Sequence, residues 1–88
     1  MTTYRRRADV SETPVEDDLY LVVPETQDIH HLDPIAAGVW RLLAEPASAA
    51  AISDVLAAAF PDQPPASIAA DVEEALRRLS EAGLIASG

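Results

Sequence analysis

The hydrophobic pattern changes its period once along the chain, at Asp33 and Pro34, and this change constrains the fold more than any other feature. Before it, apolar runs of strand length are separated by polar turns. After it, apolar residues recur every three or four positions, as they do in amphipathic helices. Strands grouped before helices favour an α+β fold over a parallel βαβ sheet. We therefore expect a three-stranded antiparallel sheet packed on three helices, similar to a winged helix-turn-helix.

Three segments before the change are interpreted as strands, namely residues 4–10, 19–23 and 28–32. The second, "LYLVV", is rich in β-branched and aromatic residues. The third, "DIHHL", follows the turn "PETQ", so the two should form a hairpin with a loop of about four residues. Residues 11–18, "SETPVEDD", are acidic and contain a proline, and we interpret them as a loop.

Capping residues predict where the three helices begin and end. Asp33 is a good N-cap before the first helix, which ends ahead of Pro46. Ser48 caps the second helix, which carries a clear apolar stripe as far as Phe60. The third helix runs from about residue 65 or 67 to Ala82. A short strand or wing is expected after it, at residues 84–85.

Three single residues carry further expectations. Gly38 lies in the middle of the first helix, where it lowers helix stability by about 1 kcal/mol relative to alanine, and this indicates a close approach of another element. Trp40 is expected in the core. Gly83 fits the position just beyond the end of the third helix.

Length and composition limit the class of protein. The 88 residues allow one domain, residues 1–88, with a core from about 19 to 85. There is no cysteine, which excludes disulfides and thiolate metal sites. No apolar run is long enough to cross a bilayer, and the N-terminus lacks the apolar segment of a secretory signal, so we expect a cytoplasmic protein.

The charge of the chain disfavours two classes of partner. The formal net charge is −9, and residues 8–88 carry 15 acidic side chains against three arginines. The other three arginines are Arg5, Arg6 and Arg7. Nucleic-acid binding requires a basic face that neutralises phosphates, and anionic membranes attract basic segments in the same way. We therefore expect neither a nucleic acid nor a membrane as partner.

The adjacent His30 and His31 are the most conspicuous candidates for a metal or catalytic site. Consecutive side chains on a strand point to opposite faces, so the two imidazoles cannot easily chelate one metal. The sequence has no third histidine and no cysteine to complete a zinc site. The serines lie at helix starts, where capping explains them. We therefore expect no metal, no cofactor and no enzymatic activity.

Charged residues on the third helix allow two interpretations. Glu73–Arg77 and Glu74–Arg78 have the spacing of helix-stabilising ion pairs. Alternatively, Asp71, Glu74, Ala75 and Arg78 flank the apolar stripe and line a groove. The sequence leaves both open.

The strand at residues 28–32 has no partner predicted on its second side. It is followed directly by a helix, and no later segment supplies another long strand. An open strand edge is a place where an extended peptide can add as a further strand.

The segment "HHLDPIAAGVWRLL", residues 30–43, resembles the signature of the PqqD family, with Asp33 where the family usually has Asn. "AISDVLAAAF" (51–60) is similar to the family's second helix, and "DVEEALRRLSEAGLI" (71–85) to its third. The resemblance covers about residues 19–85.

The resemblance implies a RiPP recognition element, a non-catalytic module that binds the leader region of a ribosomally synthesised precursor peptide. Its implied partners are that precursor peptide and a leader peptidase, a cyclase or a radical SAM modifying enzyme. The pathway stays open between pyrroloquinoline quinone, lasso peptides and other products. In the family, the leader adds as a strand beside the third strand and touches the third helix.

Carried over by position, this arrangement names eleven peptide-binding residues, five on the strand and six on the helix. They are Asp28, Ile29, His30, His31, Leu32, Asp71, Val72, Ala75, Leu76, Arg78 and Leu79. Arg78 is expected to pair with an acidic side chain of the leader. Leu76 and Leu79 are also candidates for the core.

The alternative is a winged-helix DNA-binding protein, which shares the helix arrangement but would need a basic face. A small enzyme or metal protein is disfavoured by the missing ligands and nucleophile. A homodimer, including a domain-swapped one, remains open for a small fold with an open strand edge.

Overall fold

The computed structural model describes residues 2–88, which form six strands and three helices. Their order confirms the expected α+β class, with strands preceding helices over most of the chain. The elements are β1 (Thr3–Arg6), β2 (Ser11–Val15), β3 (Asp18–Val23), β4 (Asp28–Leu32), α1 (Pro34–Leu42), β5 (Ala47–Ser48), α2 (Ala49–Ala59), α3 (Pro65–Glu81) and β6 (Ile85–Ser87).

The larger sheet is antiparallel and has the order β2-β3-β4. β3 and β4 form the predicted hairpin, with Val23 paired to Asp28 across a four-residue loop. Gln27 closes that loop at φ +59°, and its N–H donates to the carbonyl of Val23 at 2.6 Å. The hairpin therefore has the predicted loop length.

The interpretation of residues 11–18 as a loop is wrong. Residues 11–15 form β2, which pairs with β3 across a two-residue turn. Every residue of β2 is exposed, so the strand has no apolar alternation from which it could be recognised.

The first predicted strand, residues 4–10, is also corrected. The observed β1 ends at Arg6 and lies in a second antiparallel sheet of order β5-β1-β6. The three-stranded sheet expected from residues 4–10, 19–23 and 28–32 therefore has β2 in place of the first segment.

The pairing of β2 with β3 determines which backbone groups face the open edges. Val15 and Asp18 flank the two-residue turn, so they exchange both of their hydrogen bonds. Hydrogen-bonded and non-hydrogen-bonded pairs then alternate along the continuous register into β4. On β4, the N–H and C=O groups of Ile29 and His31 consequently point away from β3.

The same alternation places Glu12 and Pro14 with their backbone groups on the outer edge of β2. Pro14 has no N–H, and a position outside the ladder is where a strand tolerates proline. Its presence agrees with the deduced alternation and removes a donor from this edge.

The predicted caps are present at the first two helices. Asp33 Oδ1 accepts the N–H of Ala36 at 2.9 Å, and Pro34 occupies the first turn of α1. Ser48 Oγ accepts the N–H of Ala51 at 3.2 Å. α3 begins instead at Pro65, without a side-chain cap.

One core joins the inner face of the larger sheet to all three helices. Its eighteen buried side chains are all apolar, and Trp40 is among them, as expected. The close approach at Gly38 is also confirmed, because a Cβ there would lie 2.7 Å from Leu56 Cδ2 on α2. The glycine therefore allows α1 and α2 to pack closely.

The end of α3 leads into the smaller sheet through the predicted glycine. Gly83 adopts φ +74°, and the N–H of Leu84 donates back to Leu79 at 2.9 Å, which is the Schellman arrangement. Leu84 is held from the other side, because its carbonyl accepts the N–H of Arg7 at 2.8 Å. β6 then pairs with β1.

Candidate functional site

A groove of about 460 Å³ lies between β4 and α3. α1 contacts both elements and separates them, so the groove has a strand on one side and a helix on the other. Its lining is formed by Ile29, His30, His31, Leu32, Asp33, Ala36, Ala75, Arg78, Leu79, Ala82 and Leu84.

The strand side of the groove is an open sheet edge. Within residues 2–88, β4 pairs only with β3. The outward N–H and C=O groups of Ile29 and His31 are therefore available to an added strand, two residues apart as a strand ladder requires. An extended peptide beside β4 would lie along the groove and against α3.

The two histidines lie on opposite faces of the sheet, as the sequence predicted. His30 shares the inner face with buried Leu32 and is half-buried. His31 is on the outer face, where its Nε2 lies 2.6 Å from Asp18 Oδ2 and its ring lies 5.0 Å from that of Tyr20. The imidazole of His31 thus ties β4 to β3 on the outer face of the sheet.

The helix side of the groove combines apolar surface with one cation. Ala75 and Leu79 are nearly buried, with 7% and 3% of their surface exposed. Arg78 is exposed, and it forms no salt bridge with any residue from 2 to 88. Its guanidinium is therefore available to an anionic group in the groove.

The preceding residue in the helix, Arg77, forms ion pairs on the exposed surface of α3, outside the groove. Its guanidinium donates to Glu74 at 2.6 Å and to Glu81 at 2.5 Å. The pairs Glu73–Arg77 and Glu74–Arg78, one of the two interpretations that the sequence left open, do not form among residues 2–88. The hydrogen bond from Arg77 lowers the pKa of Glu74 below its usual value. Residues three or four positions apart on a helix can all form such pairs, and the direction of each side chain decides which pairs form.

The groove brings together seven of the eleven residues predicted for peptide binding. They are Ile29, His30, His31, Leu32, Ala75, Arg78 and Leu79. Val72 and Leu76 are buried in the core instead, and Leu76 borders a different cavity, beside Tyr4 and Ala49. Asp28 and Asp71 are exposed and lie outside the lining.

Four lining residues were not among those predicted. Asp33 and Ala36 belong to the start of α1, and Ala82 and Leu84 to the end of α3. Because α1 follows β4 directly, its first turn must lie beside that strand. The position of Asp33 and Ala36 in the lining could therefore have been predicted from the sequence. Leu84 is held by the predicted turn at Gly83 and also by a bond to Arg7, and no local pattern reveals the second contact.

The outer face of the larger sheet carries exposed apolar side chains. Val15, Tyr20 and Ile29 are 49%, 37% and 68% exposed, and the strand register places them on the face that points away from the core. This face adjoins the open edge of β4.

Neither a metal site nor a membrane span is found in the part of the chain that the structure describes. Residues 2–88 contain no cluster of three or more His, Asp or Glu side chains placed to hold a metal. None of the helices formed by these residues is long and apolar enough to cross a bilayer.

Comparisons with known proteins agree on the fold. Residues 18–85 match the family model described as coenzyme PQQ synthesis protein D (PqqD). The chain is also similar to the solved structure of TbiB1 in complex with the TbiA(beta) leader peptide, with a TM-score of 0.77 and 22% identity, over 92% of this chain and 93% of that one. None of the curated proteins matches the sequence. At this identity, the likeness to TbiB1 shows a shared fold.

Proposed function

The chain belongs to the PqqD family, and from that premise we propose that it is a RiPP recognition element, which binds the leader region of a ribosomally synthesised precursor peptide. TbiB1, which has the same fold, was solved with a leader peptide bound. In this proposal the protein performs no chemistry and presents the leader to the enzyme that acts on it. That enzyme is a leader peptidase, a cyclase or a radical SAM enzyme.

The proposed mechanism is strand addition along β4. The leader would pair with the outward N–H and C=O groups of Ile29 and His31, which the register leaves unpaired. Main-chain hydrogen bonds of this kind supply affinity with little dependence on sequence. The larger sheet would thereby gain a fourth strand.

Side chains of the groove would supply the specificity. Alternate residues of the added strand point toward α3, where Ala75 and Leu79 offer apolar contacts and Arg78 offers a cation. Leu32 and His30 form the side of the groove contributed by the sheet. We therefore expect a leader with apolar residues at alternate positions and an acidic residue opposite Arg78.

The observation that carries the proposal is the open edge of β4 beside the groove. It is tested by fluorescence polarisation with labelled leader segments of short precursor peptides encoded beside the gene. Replacing His31 with proline removes the outward N–H and places a ring on the edge, so H31P should weaken binding at least about tenfold.

The matched control is H31A, which removes the imidazole and keeps the N–H. H31A should bind the leader within about threefold of the unmodified protein, since the imidazole lies on the outer face. Urea unfolding of both variants reports any loss of stability from the broken contact with Asp18. Equal weakening by H31A and H31P, at equal stability, would exclude pairing through the backbone of β4.

The charge distribution argues against the alternative of DNA binding. Of the three arginines after Arg7, Arg77 is engaged by Glu74 and Glu81, and the net charge is −9. A gel-shift assay across a range of salt concentrations should show no retarded DNA. Salt-sensitive retardation would reverse the preference, because phosphate neutralisation makes DNA binding depend on salt.

A further inference from the structure

A second cavity, of about 310 Å³, lies between the N-terminal arginines and the end of α1. It is separate from the groove and shares no lining residue with it. We refer to it as the arginine cavity. Its lining is formed by Arg5, Arg6, Arg7, Ala8, Val10, Glu12, Trp40, Leu43, Ala44 and Pro46.

Trp40, which lines the arginine cavity, carries an unsatisfied hydrogen-bond donor. The side chain is 1% exposed, and its indole Nε1 has no hydrogen-bond partner among residues 2–88. A buried donor without a partner destabilises a protein by about 1–3 kcal/mol. Such groups are uncommon in folded proteins, so the indole N–H marks a position where an acceptor would stabilise the protein.

Arg6 brings a cation to the same indole. Its guanidinium carbon lies 5.3 Å from the centre of the Trp40 ring, and its Nη1 donates to the Trp40 carbonyl at 3.2 Å. The carboxylate of Glu12 is 3.7 Å from Nη1, which is longer than a hydrogen bond. Part of the guanidinium's hydrogen-bonding capacity therefore remains for another acceptor.

Arg7, on the rim, already holds carboxylates. Its Nε and Nη2 bond the two oxygens of Asp9 at 2.5 and 3.0 Å, and Nη2 also reaches Glu25 at 2.6 Å. The hydrogen bond from Arg7 lowers the pKa of Asp9. Arg7 is thereby satisfied by the chain itself. Of the other two arginines that line the cavity, Arg6 is the one that lies against the Trp40 ring.

We propose that the arginine cavity binds a carboxylate group, which pairs with the guanidinium of Arg6 and accepts the indole N–H of Trp40. A singly charged carboxylate suits the site better than phosphate, because Glu12 lines the cavity and the chain is strongly acidic. The planar fork of arginine matches both oxygens of a carboxylate. The carboxylate comes either from an acidic side chain of a protein partner or from a free organic acid.

The single tryptophan of the chain makes the site directly observable. We would titrate ¹⁵N-labelled protein with sodium acetate, and separately with a blocked peptide that contains one glutamate, following the one indole N–H signal by NMR. Sodium chloride at equal ionic strength is the reference. A saturable shift of the indole signal with acetate or peptide, absent with chloride, supports the proposal.

Substitutions assign the shift to the cavity. R6Q should weaken acetate binding about tenfold or more, because the charge-assisted pair is lost. The matched control R77Q, on α3, should bind acetate as the unmodified protein does. W40F keeps an aromatic ring and removes the donor, so it should also bind acetate more weakly. Because this variant lacks the indole signal, its binding is followed through the backbone amides of residues 5–7. Dispersed amide spectra show that each variant is folded.

The remaining outcomes are equally decisive. Tighter binding of the peptide than of acetate assigns the carboxylate to a protein partner, and equal binding assigns it to a free acid; both support the site. Equal shifts with acetate and chloride, or tighter binding of inorganic phosphate than of acetate, overturn the proposal. Leader binding at the groove should be unaffected by R6Q, so the two proposals fail independently.

Discussion

Arg77 and Arg78 are adjacent in α3 and differ completely in their surroundings. Arg77 bonds Glu74 and Glu81 on the exposed surface, whereas Arg78 lines the groove. Their charge and propensity are identical, so substitutions at the two positions separate an effect on binding from an effect on the helix.

We expect R78E to weaken leader binding about tenfold or more, because it replaces the free cation of the groove with an anion. R78Q should have a smaller effect. R77Q, which removes an equal charge outside the groove, should leave leader affinity within about twofold while lowering helix stability slightly. Fluorescence polarisation and urea unfolding of all three variants check this; equal affinities for R78E and R77Q would contradict it.

At the residue scale, capping and glycine positions could be predicted and ion pairs could not. Asp33, Ser48 and Gly83 perform the expected roles, since each follows from the local geometry of a helix end. The sequence left the partners of Arg77 open, because a separation of three or four residues permits several pairs and the packing of the long side chains decides which of them form.

The contact between α1 and α2 leads to a prediction at the element scale. We expect G38A to destabilise the protein by about 1 kcal/mol, because displacing Leu56 from its packed position outweighs the gain in helix propensity. With Leu56 replaced by alanine, the obstruction is gone, and G38A should stabilise by about 1 kcal/mol.

A double-mutant cycle measured by urea unfolding provides its own control. The sign of the G38A effect should reverse between the two backgrounds, since the residues are in contact. Additive effects of the two substitutions would show that Leu56 does not limit the approach of the helices.

The elements differ in how far the sequence reveals them. The helices and the β3–β4 hairpin each bury one apolar face, so the period of their apolar residues identifies them in the sequence. β2 buries no side chain, and its backbone pairing with β3 is what defines it as a strand. A polar edge strand with a proline has the composition of a loop, and its pairing is the only property that distinguishes it.

The smaller sheet pairs β1 with β6, and the residues beside it contact the lining of the groove. The N–H of Arg7 holds the carbonyl of Leu84, and Leu84 lines the groove. At the scale of the whole molecule, the segment that follows β1 therefore contacts a residue of the groove.

Deleting residues 1–7 should destabilise the protein by about 1–3 kcal/mol and also weaken leader binding, because Leu84 loses its anchor. R7A keeps the backbone N–H and should leave leader affinity unchanged. Unfolding midpoints and leader affinities of both variants check the coupling. Full leader affinity in a folded deletion variant would contradict it.

The pairing of β1 with β5 and β6 lay beyond sequence reasoning because it depends on contacts between distant parts of the chain. Seven groove residues were nevertheless predicted, because the resemblance to the PqqD family implies that the leader lies beside the third predicted strand and the third helix. Val72 and Leu76 were included because one helix stripe serves both the core and the groove, and only packing divides it.

Pro14 affects how many chains the sheet can join. A sheet with unpaired N–H donors at both edges can pair with another chain on each side, and such edge-to-edge association can continue indefinitely. Here Pro14 removes one of the two outward N–H donors of β2 and Glu12 keeps the other, so β4 is the edge better suited to pairing. A peptide paired with β4 would therefore cover the edge most open to pairing between copies of the protein, so we expect less self-association when the peptide is bound.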